Sequence, residues 1–216
     1  NLKKTLITLG EPAGIGPDLC VLLSEKYLTK NLIVIADPEL IKNSARTLNK
    51  NIQLKILDDI NSKTISGSYA INVLPVKLTS KNKPGKLDPK NASYVIKTIK
   101  IAAELCMKKE AAAMVTGPIS KSVLNDGGFK ISGHTEFLAG ICKSTSVMML
   151  MNSYMKVALH TTHVPLQNVT KHITFESLKK TINIINSDLK KKFRIKKPKI
   201  LVTGLNPHAG EDGMLG

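Results

Sequence analysis

Two of the five histidines stand where an imidazole can do chemistry rather than fill space. His163 lies in "ALHTTHVPL" (158–166) and His208 in "GLNPHAGEDG" (204–213). The apolar "KVALHT" (156–161) and "KILVT" (199–203) read as strands. His163 is then expected to end the first and His208 to follow the second, with His160 inside the first. Open α/β sheets bind ligands beyond the carboxyl ends of their strands, and neutral imidazoles from two such ends can converge on one divalent cation at about 2.0–2.1 Å. The interval between residues 163 and 208 holds one helix-containing crossover, enough to bring both rings to one sheet edge. Two ligands are fewer than the three that a catalytic zinc ordinarily takes from protein, so the metal reading stands beside a purely structural one. His172, at the approach to a helix, reads as a surface residue.

Three other loops carry possible chemistry. In "SGHTEFLAG" (132–140), His134 and Thr135 precede a helical stretch, and helix-start N–H groups with an imidazole and a hydroxyl can hold a phosphate or carboxylate. The competing reading makes Thr135 an N-cap and His134 a surface ring. "VTGPISKSVLNDGG" (115–128) ends a strand and places Lys121 at the start of a short helix, where a lysine can move a proton or simply be solvated. "GEPAGIGPD" (10–18) links a strand to a helix, the context for cradling an anion. Its glycines at 10, 14 and 16 do not make GxGxxG, so a dinucleotide fold is not indicated and a tight turn serves equally well.

The elements that must position these loops alternate. Strand-length apolar runs fall at 5–9, 32–36, 52–57, 69–76, 112–116, 146–151, 156–161 and 199–203. Between them, helical periodicity begins near Pro17, after an Asp37-Pro38 cap, over 91–111 and over 174–192. The alternation predicts an α/β fold on a mixed, largely parallel sheet with flanking helices.

At 216 residues the chain can bury one sizeable core. Its formal charge of +16 raises the question of nucleic acid. The lysines are dispersed, however, and the densest run, "LKKKFRIKKPK" (189–199), has neither a recognition module nor interleaved aromatics. No nucleic-acid partner is expected, although the charge would favour an anionic small substrate. Three cysteines without a CxxC pair point to a reducing compartment. The apolar stretch before Gly10 is too short for a signal peptide and no run is long enough to cross a bilayer, so a cytoplasmic protein with no membrane contact is expected.

Taken together and in order, "GEPAGIGPD", "TGPISKSVLNDGG", "GHTEF", "ALHTTHVPL" and "GLNPHAGEDG" resemble the 4-hydroxythreonine-4-phosphate dehydrogenases of vitamin B6 synthesis, over essentially the whole chain. The resemblance implies a fold like that of isocitrate and isopropylmalate dehydrogenases, a homodimer, NAD as hydride acceptor and a divalent metal (Zn, Mg or Co). It assigns metal binding to His163 and His208, and contact with a phosphorylated substrate to His134 and Thr135. The implied reaction oxidises 4-phosphohydroxy-L-threonine and decarboxylates the product to 3-amino-2-oxopropyl phosphate, towards pyridoxal 5'-phosphate. Members of that family continue with a third metal histidine in a Tyr-His-Asp-Gln-Gly motif that does not occur here. The chain therefore reads as the N-terminal two-thirds of a two-lobed enzyme. Two alternatives stay open: a dehydrogenase of a related phosphorylated sugar acid such as 4-phospho-threonate, and a non-catalytic fragment lacking the third ligand.

Overall fold

The computed structural model describes residues 4–26, 31–131 and 133–214. The chain divides into two compact units, Asn1–Ser144 and Thr145–Gly216.

The first unit is built on five parallel strands: β1 (Lys4–Thr8), β2 (Leu32–Ala36), β3 (Gln53–Ile56), β4 (Ala70–Pro75) and β5 (Ala111–Thr116), in the order β3-β4-β2-β1-β5. Burial follows position. In the central β2, Ile33, Val34, Ile35 and Ala36 are all buried, as expected of a strand covered on both faces. Gln53, Lys55 and Ile56 of the edge strand β3 are exposed. The helices are α1 (Gly16–Lys26), α2 (Pro38–Thr47), α3 (Ala92–Met107), α4 (Lys121–Asp126) and α5 (His134–Ile141). On α3, Ala92, Val95, Ile96, Ile99 and Ala102 repeat at helical spacing and are buried in the same core as β1, β2 and β4. The expected helix over 91–111 stops earlier, because Lys109 turns into the left-handed region (φ 61°) to feed β5.

Asp37 shows how the α2 start is fixed. One carboxylate oxygen accepts from the Glu39 amide at 2.9 Å, capping the helix, and the other accepts from the Leu78 amide at 2.8 Å, pinning the chain that leaves β4. Asn72 does similar work inside β4. Its buried amide accepts from the Ile65 amide (2.8 Å) and donates to the Ile65 carbonyl (2.9 Å), so a passing loop is held by a side chain where no strand pairs with it.

The second unit has its own antiparallel pair, β6 (Met148–Met151) and β7 (Lys156–Leu159), and two helices, α6 (Val169–His172) and α7 (Phe175–Lys191). Thr174 and Ser177 form a capping box at the start of α7. Parallel and antiparallel strands thus occupy separate sheets, where one mixed sheet was expected. The expected strand at 199–203 is absent, and the segment is irregular with Leu201 94% exposed. An apolar run becomes a strand only through a neighbour's N–H and C=O groups. Among the described residues no strand pairs with this run. No described helix is long and apolar enough to cross a membrane.

Candidate functional site at two sets of loops

In the first unit the strand order turns at β1 and β5. The chain leaves β1 for β2 on one side, and β5 arrives later on the other. Such a switch point opens a crevice at the carboxyl ends of the strands, and the loops at 9–15 and 117–120 leave from there. They are locked together by backbone bonds. Gly117 N donates to Thr8 O at 2.7 Å and Glu11 N to Pro118 O at 2.8 Å. Gly10 is left-handed (φ 76°), and a Cβ there would strike the Pro118 carbonyl; one on Gly117 would strike Leu9. Only glycine permits so close an approach.

Glu11, buried in this loop at 6% exposure, accepts from the Ala13 amide at 3.1 Å. Burial pushes its carboxyl pKa up, the Ala13 bond partly offsets that, and nearby Asp88 adds to the rise. Sequence reasoning flagged the loop but missed this carboxylate, whose signal was an acidic residue wedged between Gly10 and Pro12.

His134 and Thr135 are inside α5 rather than before it. The helix begins at His134, and Gly133 is the residue that precedes it. Thr135 is therefore no N-cap; it is exposed in the first turn. His134 is half-buried, its Nε2 atom is buried with no hydrogen-bond partner among the described residues, and desolvation lowers its pKa. Lys121 and Glu136 both flank Gly133: a Cβ on that glycine would lie 3.7 Å from Lys121 Nζ and 3.1 Å from Glu136 Oε2. The unit thus brings a helix start and the Lys121 ammonium to Gly133, groups that suit an anion, with the Glu136 carboxylate beside them.

The second unit holds His160, His163 and His208. β7 ends at Leu159, opposite Met148 where β6 begins, so the ladder is exhausted before His160. His160 lies just past the strand instead of within it. Its Nδ1 bonds Thr181 Oγ1 at 3.0 Å, and its Nε2 is within 3.2 Å of Ser177 Oγ and 3.3 Å of the His172 carbonyl. Both nitrogens are engaged, and His160 is a structural residue that ties β7 to α7. His172 is exposed, as expected, and its backbone carbonyl accepts from Ser177 Oγ at 2.9 Å.

His163 sits four residues beyond β7 in the left-handed region (φ 57°), exposed, with no hydrogen-bond partner for its ring among the described residues. His208 follows irregular chain rather than a strand. Its amide donates to Asn206 Oδ1 at 2.9 Å and its Nδ1 lies 2.7 Å from Glu211 Oε1, leaving Nε2 available. The turn after it is unusual: Ala209, Gly210, Glu211 and Asp212 all have positive φ (50°, 97°, 38° and 53°). For the three that are not glycine this costs about 1–2 kcal/mol each.

A metal-binding imidazole must keep one nitrogen free for the ion. His163 and His208 meet that condition and His160 does not. Among the described residues no group of three His, Cys, Asp or Glu side chains could hold a metal ion. Each of these two imidazoles keeps a nitrogen that a divalent cation could use, but the described residues do not gather them with Glu211, a neighbour that sequence reasoning missed, into one ligand set.

Comparison with known proteins places these loops in context. Residues 28–216 match the family model described as pyridoxal phosphate biosynthetic protein PdxA. The chain is 44% identical over 220 residues to the 4-hydroxythreonine-4-phosphate dehydrogenase of Methylococcus capsulatus, covering 99% of this chain and 64% of that protein. It is 45% identical over 217 residues to the enzyme of that name from Vibrio cholerae, covering 99% and 65%. The chain thus spans just under two thirds of these relatives. A crystal structure of 4-hydroxythreonine-4-phosphate dehydrogenase from Klebsiella pneumoniae superposes with a TM-score of 0.88 at 28% identity, covering 99% of this chain and 67% of that one. A terephthalate 1,2-cis-dihydrodiol dehydrogenase from Burkholderia xenovorans shares the fold at a TM-score of 0.66 and 18% identity. By sequence and by fold, the chain belongs to the pyridoxal phosphate biosynthetic protein PdxA family.

Proposed function

We propose that this chain is the larger part of an NAD-dependent 4-hydroxythreonine-4-phosphate dehydrogenase, acting in a homodimer of the isocitrate dehydrogenase type in the cytoplasm. The reaction is the oxidative decarboxylation of 4-phosphohydroxy-L-threonine to 3-amino-2-oxopropyl phosphate, on the route to pyridoxal 5'-phosphate. The observation that carries this reading is the match, over 99% of the chain, to proteins that bear the dehydrogenase name.

Each site residue has a role within the reading. His163 and His208 supply two nitrogen ligands to a divalent cation, and a third histidine in the remaining third of the family's length completes the set. When bound, such a cation supplies Lewis-acid stabilisation of negative charge on the substrate's oxygens. His134, Thr135 and the first-turn N–H groups of α5 hold an anionic part of the substrate, and Lys121 adds positive charge beside Gly133. The locked loops at Gly10 and Gly117 hold the switch-point crevice of the first unit in one shape before substrate binds.

The test is NADH formation by the intact protein with 4-phosphohydroxy-L-threonine and an added divalent metal, set against 4-phospho-threonate. Turnover of the first substrate, lost in His163→Ala and in His208→Ala, is the expected result. Full turnover in both variants overturns the metal assignment, and preference for the sugar acid overturns the substrate.

A further inference from the structure

We propose that Glu211 is a positioning residue for His208: its carboxylate holds the imidazole in the tautomer that carries hydrogen on Nδ1 and so keeps Nε2 as the free donor for a cation. The proposal rests on the reading of His208 as a metal ligand and adds a residue to it. Three observations support it. Glu211 Oε1 lies 2.7 Å from His208 Nδ1, a short charge-assisted distance. Ionised carboxylate can only accept a hydrogen bond, so the shared hydrogen belongs to Nδ1, and a neutral ring then has its lone pair on Nε2. The contact is made by a turn in which residues 209–212 all have positive φ. Ordinary helical geometry would point residues three apart along one face at no such cost.

A surface contact between side chains that are 61% and 54% exposed stabilises a fold very little. Its value therefore lies in what it fixes: the ring plane and which nitrogen is free. Second carboxylate partners do this for histidine ligands in metal sites generally. His163 has no such partner among the described residues, so the two ligands differ, with His208 oriented in advance and His163 oriented by the ion.

The decisive measurement needs no metal and no turnover. Imidazole ¹⁵N shifts of His208 in the metal-free intact protein at neutral pH are expected to show hydrogen on Nδ1. In Glu211→Ala they shift toward the Nε2–H form that free histidine favours. Glu211→Gln, which keeps an accepting oxygen but no charge, falls between. Titration with Co²⁺ against a chelating indicator is expected to show a loss of about 10–100-fold in affinity for Glu211→Ala, with a smaller loss for Glu211→Gln. Hydrogen on Nε2 in the wild type, or a tautomer unmoved by Glu211→Ala, overturns the proposal. So does unchanged Co²⁺ affinity in Glu211→Ala when His208→Ala has lost it. If His208→Ala itself binds Co²⁺ as tightly as wild type, the ligand reading fails and this proposal with it. An equal melting temperature for wild type and Glu211→Ala guards against a trivial loss of fold.

Discussion

The Glu11 amide donates to the Pro118 carbonyl at 2.8 Å, joining the loop that leaves β1 to the loop that leaves β5. This bond sits at the switch point of the parallel sheet, and both loops bend through a glycine to reach it. The approach is so close that Gly10 has no room for a side chain: a Cβ there meets the Pro118 carbonyl and the φ of 76° is unfavourable for any other residue. Gly10→Ala is therefore expected to cost about 2–4 kcal/mol, the sum of a backbone clash and a left-handed penalty. Urea unfolding of the two proteins measures it. A cost near zero would mean that the loops separate freely.

The buried Glu11 carboxyl gives this junction a pH dependence. Its folded pKa is raised, so between the ordinary value of 4.5 and the raised one the folded protein binds more protons than the unfolded chain. Its contribution to stability is fully present below the ordinary value and is lost as pH rises through the folded one. Glu11→Gln keeps an oxygen for the Ala13 amide and removes the charge. The variant should gain stability relative to wild type as pH increases, levelling off above the raised pKa, in unfolding curves taken from about pH 4 to 8. A variant that loses stability relative to wild type as pH rises would show that the charged bond to Ala13 outweighs burial.

What the sequence disclosed follows the range of the forces involved. β2 and the Asp37-Pro38 cap were legible because a run of buried β-branched residues and a side-chain cap are decided within a few positions. The end of α3 was not, because Lys109 leaves helical geometry to meet a strand whose position depends on β1. The run 199–203 looks like a strand by composition, yet a strand exists only if another offers a ladder. For the site, residue types and spacing singled out the loops of His134, His163 and His208, which the structure places at the start of α5 and in irregular chain beyond β7 and α7. Glu11 and Glu211 escaped notice because an acidic residue in a Gly/Pro-rich loop reads as solvated until its partner's position is known.

Three histidines of the second unit should separate cleanly by experiment. His160→Ala removes a ring bonded to Thr181 and placed against Ser177, and is expected to cost about 1–3 kcal/mol of stability. His163→Asn removes an exposed ring while keeping a residue that tolerates the left-handed conformation, and should change stability by no more than about 0.5 kcal/mol. Metal affinity should respond in the opposite sense, kept in His160→Ala and reduced in His163→Asn and His208→Ala. Thermal melts and Co²⁺ titration of the three variants provide the matrix. Loss of metal binding in His160→Ala, with its fold intact, would contradict the structural role given to that ring.

His134 supplies the remaining prediction, because burial lowers its pKa while the reading above places it beside an anionic group. In the free protein the ring is neutral at physiological pH. Below its ordinary value of 6.5 the unfolded chain gains a proton that the folded one resists, so stability falls as pH drops from there toward the depressed value. A bound phosphate reverses the balance, since a negative charge beside the ring favours the protonated form and raises the pKa. Binding of inorganic phosphate should then be accompanied by proton uptake, greatest between the free and the bound pKa, where it approaches about one proton per site, and vanishing well above both. Calorimetric titration in two buffers of different ionisation heat reads that uptake directly. His134→Gln should bind phosphate more weakly, and its proton uptake should fall short of the wild type's by His134's share. Equal heats in both buffers across the acid range, with phosphate bound, would remove His134 from the anion site and leave the helix start and Lys121 to hold it.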